Sequence, residues 1–254
     1  MTQAEKRLWL TRYLLNENER YKDVRIPADS EDRFNLYRSL VNMRMPAPIS
    51  EEYLQIEDEY LKEETATKGI VPITELDFKN DIAIWQGDIT TLKCDAIVNA
   101  ANSQMLGCFV PCHNCIDNCI HTFSGIRLRL KCAEIMKKQG HEEPIGSAKI
   151  TPAYNLPCRY ILHTVGPIVN GKLTDEHKKL LASCYRSCLK CADENGLKNI
   201  AFCCISTGVF GFPQKEAAKI AVDTVRAYKK HSDIKVIFNV FKDEDRIIYE
   251  NLLG

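Results

Sequence analysis

A chain of 254 residues has room for one large α/β domain, or for a core domain with an appendage. Its 34 basic and 34 acidic residues cancel to a net charge of zero, which argues against a general nucleic-acid or membrane-surface binder. There is no run of about 18 apolar residues and no apolar h-region near the start, so a cytoplasmic enzyme or binding domain is expected. The 12 cysteines are therefore read as reduced thiols. Cys203 and Cys204, in an apolar strand, and Cys184, Cys188 and Cys191, at helical spacing, are expected to be small packing residues.

Residues 1–70 are charged, lack strand-like runs and show helical periodicity. Leu8, Leu10, Leu14 and Leu15 mark a first helix. Phe34, Leu36, Tyr37, Leu40 and Val41 mark a second, entered from Pro27-Ala-Asp-Ser30 and broken at Met45-Pro-Ala-Pro48. Ser50 opens a third. This stretch is expected to be a helical extension.

From residue 71 onward strands and helices alternate. Asp81–Trp85 and Ala96–Ala100 read as strands, and Ile116 to Gln139 as one helix with Ile120, Phe123, Ile126, Leu130, Ala133 and Ile135 on its apolar face. Ser147–Thr151 is short and extended, and Tyr160–Val165 is a strand stopped by Gly166-Pro167. Thr174 to Asn195 is a helix closed by Gly196. Asn199–Ile205 is a continuous apolar run, as in a strand covered on both faces. Pro213 opens a helix to about His231, Ile234–Phe241 is the last strand, and Asp243–Leu253 a closing helix. The alternation predicts an α/β fold with a mixed or parallel sheet between helical layers.

Four stretches carry usable chemistry at the ends of these strands. Gly87-Asp-Ile-Thr is either a plain turn or a place where Asp88 accepts a hydrogen bond from a base or sugar. Asn99 and Asn102 follow the second strand; they are either turn formers or amides that read a ribose diol. Ser206-Thr-Gly-Val-Phe-Gly211 runs into the helix at Pro213, so it is an ordinary loop or a set of backbone N–H groups for a phosphate. It matches neither Gly-x-x-x-x-Gly-Lys-Ser/Thr nor Gly-x-Gly-x-x-Gly.

The fourth stretch is sharper. Cys108, Cys112, His113, Cys115, Cys119 and His121 fall within 14 residues, closer than scattered core cysteines. Cys108-x3-Cys112-x2-Cys115 has the spacing of a radical-SAM iron–sulfur site, whereas mixed thiolate and imidazole donors favour zinc. Cys108, His113 and Cys115 would leave a fourth position open, as catalytic zinc requires. Asp117 follows near a helix start, favoured there by the helix dipole or aimed at a metal-bound water. His163 reads as a hydrogen-bonded core residue; His141, His177 and His231 read as exposed.

Gly87-Asp-Ile-Thr, Asp95-Ala-Ile-Val-Asn-Ala-Ala-Asn102, Tyr160-Ile-Leu-His-Thr-Val-Gly-Pro167 and Ser206-Thr-Gly-Val-Phe-Gly211 together resemble the macrodomain family, in family order. The block Gly107 to Asn118 resembles its zinc-dependent microbial branch, as do Arg33-Phe-Asn-Leu-Tyr-Arg and Pro48-Ile-Ser-Glu-Glu-Tyr-Leu. The resemblance implies a three-layer α/β/α macrodomain with a mixed central sheet over residues 71–254, behind the helical extension 1–70. It implies a hydrolase that removes mono-ADP-ribose from modified proteins, with a sirtuin-type ADP-ribosyltransferase system as partner, and neither nucleic acid nor membrane. Carried over, Cys108, His113 and Cys115 would hold Zn2+. Asp88 would bind the adenine amino group, with Ile89 beside it. Asn99, Asn102, Cys115, Ile116 and Asp117 would line the distal ribose, Asn102 and Asp117 being the catalytic candidates. Ser206, Thr207, Gly208, Val209 and Phe210 would wrap the phosphates. Cys112 and Cys119 depart from that branch's pattern. The same resemblance admits a reader of ADP-ribose without turnover, or an O-acetyl-ADP-ribose deacetylase.

Overall fold

Three helices come first, each opened by a side chain that satisfies N–H groups a helix start leaves free. Thr2 and Glu5 form a capping box on α1 (Gln3–Asn16), the Asp29 carboxylate accepts from Glu31 and Asp32 N–H on α2 (Ser30–Met43), and the Ser50 hydroxyl accepts from Tyr53 N–H on α3 (Glu51–Lys68). The computed structural model describes residues 1–254. These helices share their own apolar cluster, which includes Leu10, Leu14, Tyr37, Leu40, Tyr53 and Leu61. Each such side chain contributes about 1.5–3 kcal/mol when fully buried.

Beyond the extension, β1 (Val71–Pro72) pairs in parallel with β3 (Leu92–Lys93), a two-residue ladder too short to read from sequence. The main sheet takes β2 (Ile82–Gln86), β4 (Ala96–Ala101), β5 (Ala148–Pro152), β6 (Tyr160–Val165), β7 (Asn199–Phe202) and β8 (Lys235–Val240) in the order β2-β8-β7-β4-β6-β5. Every pairing is parallel except that of β5, an antiparallel edge strand on β6. The sheet is therefore mixed. Helices α4 (Ile116–Ser124) and α5 (Ile126–Gln139) cover one face, and α6 (Asp175–Glu194), α7 (Gln214–Tyr228) and α8 (Asp243–Leu253) the other. Burial on both faces explains why β4, β7 and β8 are mainly apolar rather than alternating.

The single helix expected over residues 116–139 is two. Gly125 stands between α4 and α5 with φ +92°, and a Cβ there would meet Glu57 Oε2 at 2.9 Å. The α5 start has no local cap; the Glu57 carboxylate, from α3, accepts from Ile126 N–H at 2.8 Å. The strand read through Ile205 ends at Phe202, so Cys203 and Cys204 lie just past it. The helix read to His231 gives way to a 3₁₀ turn after Tyr228.

One detail of register opens the site. β4 pairs with β6 along all of Ala96–Ala101, but with β7 only at Ala96 and Ile97. Beyond Ile97 the ladder stops, and the cleft expected of such a sheet lies at the carboxyl ends of the two strands, where the strand order reverses. That is where open α/β sheets bind ligands.

Candidate active site

Asp88 ends the turn after β2. Its Oδ1 accepts from Thr90 N–H at 2.9 Å and from the Thr90 hydroxyl at 2.6 Å, so the side chain caps the short 3₁₀ turn Ile89–Thr91. Its Oδ2 lies 3.1 Å from Lys68 Nζ, at the last turn of α3. Burial works against ionisation here, yet the Thr90 hydroxyl and the Lys68 ammonium hold the carboxyl below the usual range. Lys68 also stands 3.2 Å from the centre of the Phe123 ring. Nothing in the sequence signals Lys68, which reaches the site from a separate helix. Ile89 is buried under the turn.

Asn99 is 0 % exposed, which corrects its assignment to the ribose-lining set. Its amide donates to Asp117 Oδ1 at 2.8 Å and lies 3.2 Å from His163 Nδ1. The other ring nitrogen of His163 is 2.9 Å from the Thr151 hydroxyl. With Asn99 donating to Nδ1, the proton of neutral His163 belongs on Nε2, facing Thr151. Burial pushes His163 down to about 3, so it stays neutral. Asn99 is thus a support behind the site rather than part of its wall.

Asp117 is the group so supported. It sits in the first turn of α4, 5 % exposed, and Asn102 Nδ2 approaches its second oxygen at 3.4 Å. Burial raises its carboxyl to about 6 against the hydrogen bond from Asn99. Asn102 also donates to Gly107 O at 3.0 Å, while its own Oδ1 is buried without a partner. A buried carbonyl oxygen left open is costly unless a donor arrives. A sugar hydroxyl would be one.

Cys108, His113 and Cys115 bring their donor atoms within 4.8 Å of one another. Cys108 Sγ is 3.6 Å from His113 Nδ1. A tetrahedral zinc with ordinary Zn–S and Zn–N bonds needs about 3.5 Å between such atoms. Cys115 caps α4, its sulfur accepting from Asn118 N–H at 3.4 Å, which favours a thiolate. Burial pushes that thiol up to about 12, and Cys108 beside it adds to the effect. A cation among the three would reverse both. The donor set therefore fits zinc.

The other members of the sequence cluster turn elsewhere. Cys112 Sγ faces α2, 3.3 Å from Asn35 O and 3.2 Å from Ser39 Oγ. Cys119 lies near the Arg38 guanidinium, 3.7 Å away. His121 points inward, with both ring nitrogens buried and without a hydrogen bond, Nε2 lying 3.7 Å from Asp117 Oδ1. It forms a second group with Cys132 and His163, where the hydrogen bonds of His163 already occupy both its nitrogens. Ile116 is partly exposed beside Cys115.

On the far side of the cleft, the loop after β7 is held mainly by itself. Phe212 N–H bonds Ser206 O at 3.0 Å, Gly211 N–H bonds Gly208 O at 3.0 Å, and the Thr207 hydroxyl bonds Cys204 O at 2.9 Å. One outside tie comes from Val169 N–H to Phe210 O at 2.8 Å. Gly208 and Val209 are exposed at the tip, Val209 by 78 %. Ser206 has φ +65° and a buried hydroxyl without a partner, pressed against Gly166.

The Macro domain family model matches residues 98–221, which spans the cleft from β4 to α7. A protein-ADP-ribose hydrolase of Treponema medium is 56 % identical over 261 aligned residues, covering 100 % of both chains. A macrodomain of Oceanobacillus iheyensis with ADP superposes with TM-score 0.64 at 38 % identity, over 70 % of this chain and 93 % of that one. A Trypanosoma brucei macrodomain in complex with ADP-ribose gives TM-score 0.66 at 30 % identity, over 85 % and 95 %. With the mixed sheet, the cleft past Ile97 and full-length similarity of this order, the chain belongs to the macrodomain family.

Proposed function

We infer that this chain is a zinc-dependent hydrolase that releases ADP-ribose from mono-ADP-ribosylated protein. The observation that carries the reading is the three-donor group Cys108, His113 and Cys115, set at the start of the helix that presents buried Asp117 beside the open oxygen of Asn102. The relative from Treponema medium, named a protein-ADP-ribose hydrolase, supports the activity over the whole chain.

The residues divide the substrate between them. Asp88, kept ionised, accepts from the adenine amino group, and Lys68 next to it moves aside or donates to a ring nitrogen. The free N–H groups of the Ser206–Phe210 loop face the diphosphate at the start of α7. Asn102 Oδ1 accepts from a hydroxyl of the distal ribose. Asp117, held by Asn99 and Asn102, orients the attacking water or the ribose hydroxyl. Cys108, His113 and Cys115 would hold zinc, which would supply Lewis acidity at the scissile end. Holding the reacting pair in geometry is itself worth up to roughly 10 kcal/mol in ideal cases. The modified protein lies outside the cleft, and a sirtuin-type transferase would supply the modification.

The test uses a mono-ADP-ribosylated acceptor with an ester linkage. The parent is expected to release free ADP-ribose and to carry about one zinc per chain by elemental analysis, since only the Cys108, His113 and Cys115 group has its donors open. His113→Ala is expected to lose the zinc and at least a hundredfold of turnover, roughly 3 kcal/mol of transition-state stabilisation, while keeping most of its ADP-ribose affinity. Parental turnover in a folded, zinc-free His113→Ala protein would make the metal structural. A parent that binds ADP-ribose and never turns over would be a reader; one that acts only on O-acetyl-ADP-ribose would be a deacetylase.

A further inference from the structure

The loop Gly107–Cys115 carries all three donors, yet its hold on their spacing comes from outside it. Arg38, on α2 of the helical extension, donates from one guanidinium nitrogen to the backbone oxygen of His113 at 2.7 Å and to Asn118 Oδ1 at 2.9 Å. Its other terminal nitrogen lies 3.4 Å from Asn114 Oδ1. Asn118 is 0 % exposed and spends its own amide protons on the loop. Its Nδ2 donates to Val110 O at 3.0 Å and Cys108 O at 3.3 Å, and its backbone N–H donates to Cys115 Sγ.

One continuous chain of hydrogen bonds therefore links Arg38, His113 O, Asn118, Cys108 O and the Cys115 sulfur. It touches the main chain or side chain of every donor residue and occupies no donor atom except through the N–H that favours the Cys115 thiolate. Independent ties reinforce the same end of the loop. Asn42 Oδ1 accepts from Cys112 N–H at 3.0 Å, which steadies a residue at φ +53°, where a side chain is strained. Arg129 donates to Leu106 O at 2.7 Å and to the backbone oxygens of Val41, Asn42 and Arg44.

We propose that Arg38 and Asn118 form a clamp that pre-organises Cys108, His113 and Cys115, so the helical extension sets the metal affinity of the macrodomain. The proposal rests on the zinc reading above and adds to it a part for the extension. Donor atoms free to spread must be gathered when the cation arrives, and that ordering cost weakens binding; a pre-set spacing avoids it. A guanidinium suits this work because one nitrogen gives a proton to each of the two acceptors while the other, in the same plane, reaches Asn114. Arg38 and Asn118 are positioning residues: they act through the ligands.

The experiment compares the full-length parent, Arg38→Ala and Arg38→Lys. Zinc affinity is read by competition with a chromogenic chelator. Donor geometry is read from the visible absorption of the cobalt(II)-substituted protein, and the zinc-free melting temperature controls for folding. Arg38→Ala is expected to bind zinc ten- to a hundredfold more weakly, the range for removing a partner that orients metal ligands. Its cobalt bands are expected to shift or broaden, and the rise in melting temperature on adding zinc to shrink. Arg38→Lys, which keeps the charge but loses the second nitrogen and the rigid plane, is expected to recover part of the affinity. A folded Arg38→Ala protein with parental zinc affinity and cobalt spectrum overturns the clamp while leaving the metal reading intact. A parent that takes up no zinc overturns that reading and the clamp with it.

Discussion

The two loops that face each other across the cleft are built on opposite plans. The loop from Gly107 to Cys115 is tied down by side chains from elsewhere: Arg38 and Asn42 of α2, Asn118 of α4 and Arg129 of α5. The loop from Ser206 to Gly211 is folded mostly on its own backbone, with an exposed tip at Gly208 and Val209. The tasks proposed for them account for the difference. A loop that must hold three soft donors at fixed spacing tolerates little movement, and side-chain bracing supplies that. A loop that offers N–H groups to a phosphate needs those groups unpaired, so its hydrogen bonds must come from the few it can spare.

The most demanding test of the braced side is a change of charge where the extension meets α5. Glu57 is buried, accepts from Tyr37, Tyr53 and Ile126 N–H, and thereby joins the apolar cluster of α1–α3 to the helix that carries Arg129. Burial, with a smaller push from Asp58, raises its carboxyl from 4.5 to about 7 against those three hydrogen bonds. Between these values the folded chain keeps a proton that the unfolded chain has released. The contribution to stability is thus complete below the unfolded value and is lost as pH rises through about 7. The whole window is worth roughly 3 kcal/mol. Glu57→Gln removes this slope. The variant's stability relative to the parent is expected to climb by up to that amount between pH 5 and pH 8, measured by urea denaturation. Parallel pH curves for the two proteins would mean that Glu57 titrates normally.

That junction also shows where sequence reading stops. The alternation of strands and helices from residue 71 gives the mixed sheet and its helical layers, because a period of two or of 3.6 is a local property. The donors Cys108, His113 and Cys115 are legible for the same reason: they fall within eight consecutive residues and meet on one loop. What escapes is set at a distance. Gly125 looks like one more position in a helix, and only Glu57, from a different helix, makes it a break. Asn99 and Asn102 are alike in sequence and both reach Asp117, yet Asn99 lies inside β4, fully buried against His163, while Asn102 lies past the strand end and is partly exposed. Lys68 has no signature beside Asp88 because its placement follows from how α3 ends.

Asp88 lies between the two plans, since its partners are its own turn and a lysine of the extension. Asp88→Ala removes the proposed acceptor for the adenine amino group, and a hydrogen bond to a charged group is worth about 1.5–3 kcal/mol. Affinity for free ADP-ribose is expected to fall roughly ten- to a hundredfold by calorimetric titration, with zinc content unchanged. Lost zinc in a folded variant would show that the two ends of the cleft are coupled, against the separation drawn here.

The smallest expected effect tests the self-held loop. Gly166 follows β6 at an ordinary backbone angle, so alanine is permitted there by conformation and forbidden only by space. A Cβ would stand 2.1 Å from Ser206 Oγ and 2.9 Å from Ile205 Cγ2. Ser206 is the residue at φ +65° from which the loop starts, and its hydroxyl has no hydrogen bond to anchor it. Gly166→Ala must therefore push Ser206 and carry the loop with it, at a cost of about 1–3 kcal/mol for an overfilled site. ADP-ribose affinity is expected to drop with stability, while zinc affinity stays parental because no tie of the braced loop passes through Ser206. The second substitution Ser206→Gly removes the hydroxyl in the way and suits the left-handed backbone. The double variant is then expected to regain most of the lost stability by thermal melting; the remaining contact with Ile205 keeps the recovery incomplete. If Ser206→Gly gives Gly166→Ala no relief, the loop is positioned by something other than this contact, and its independence from the rest of the fold is lost as an explanation.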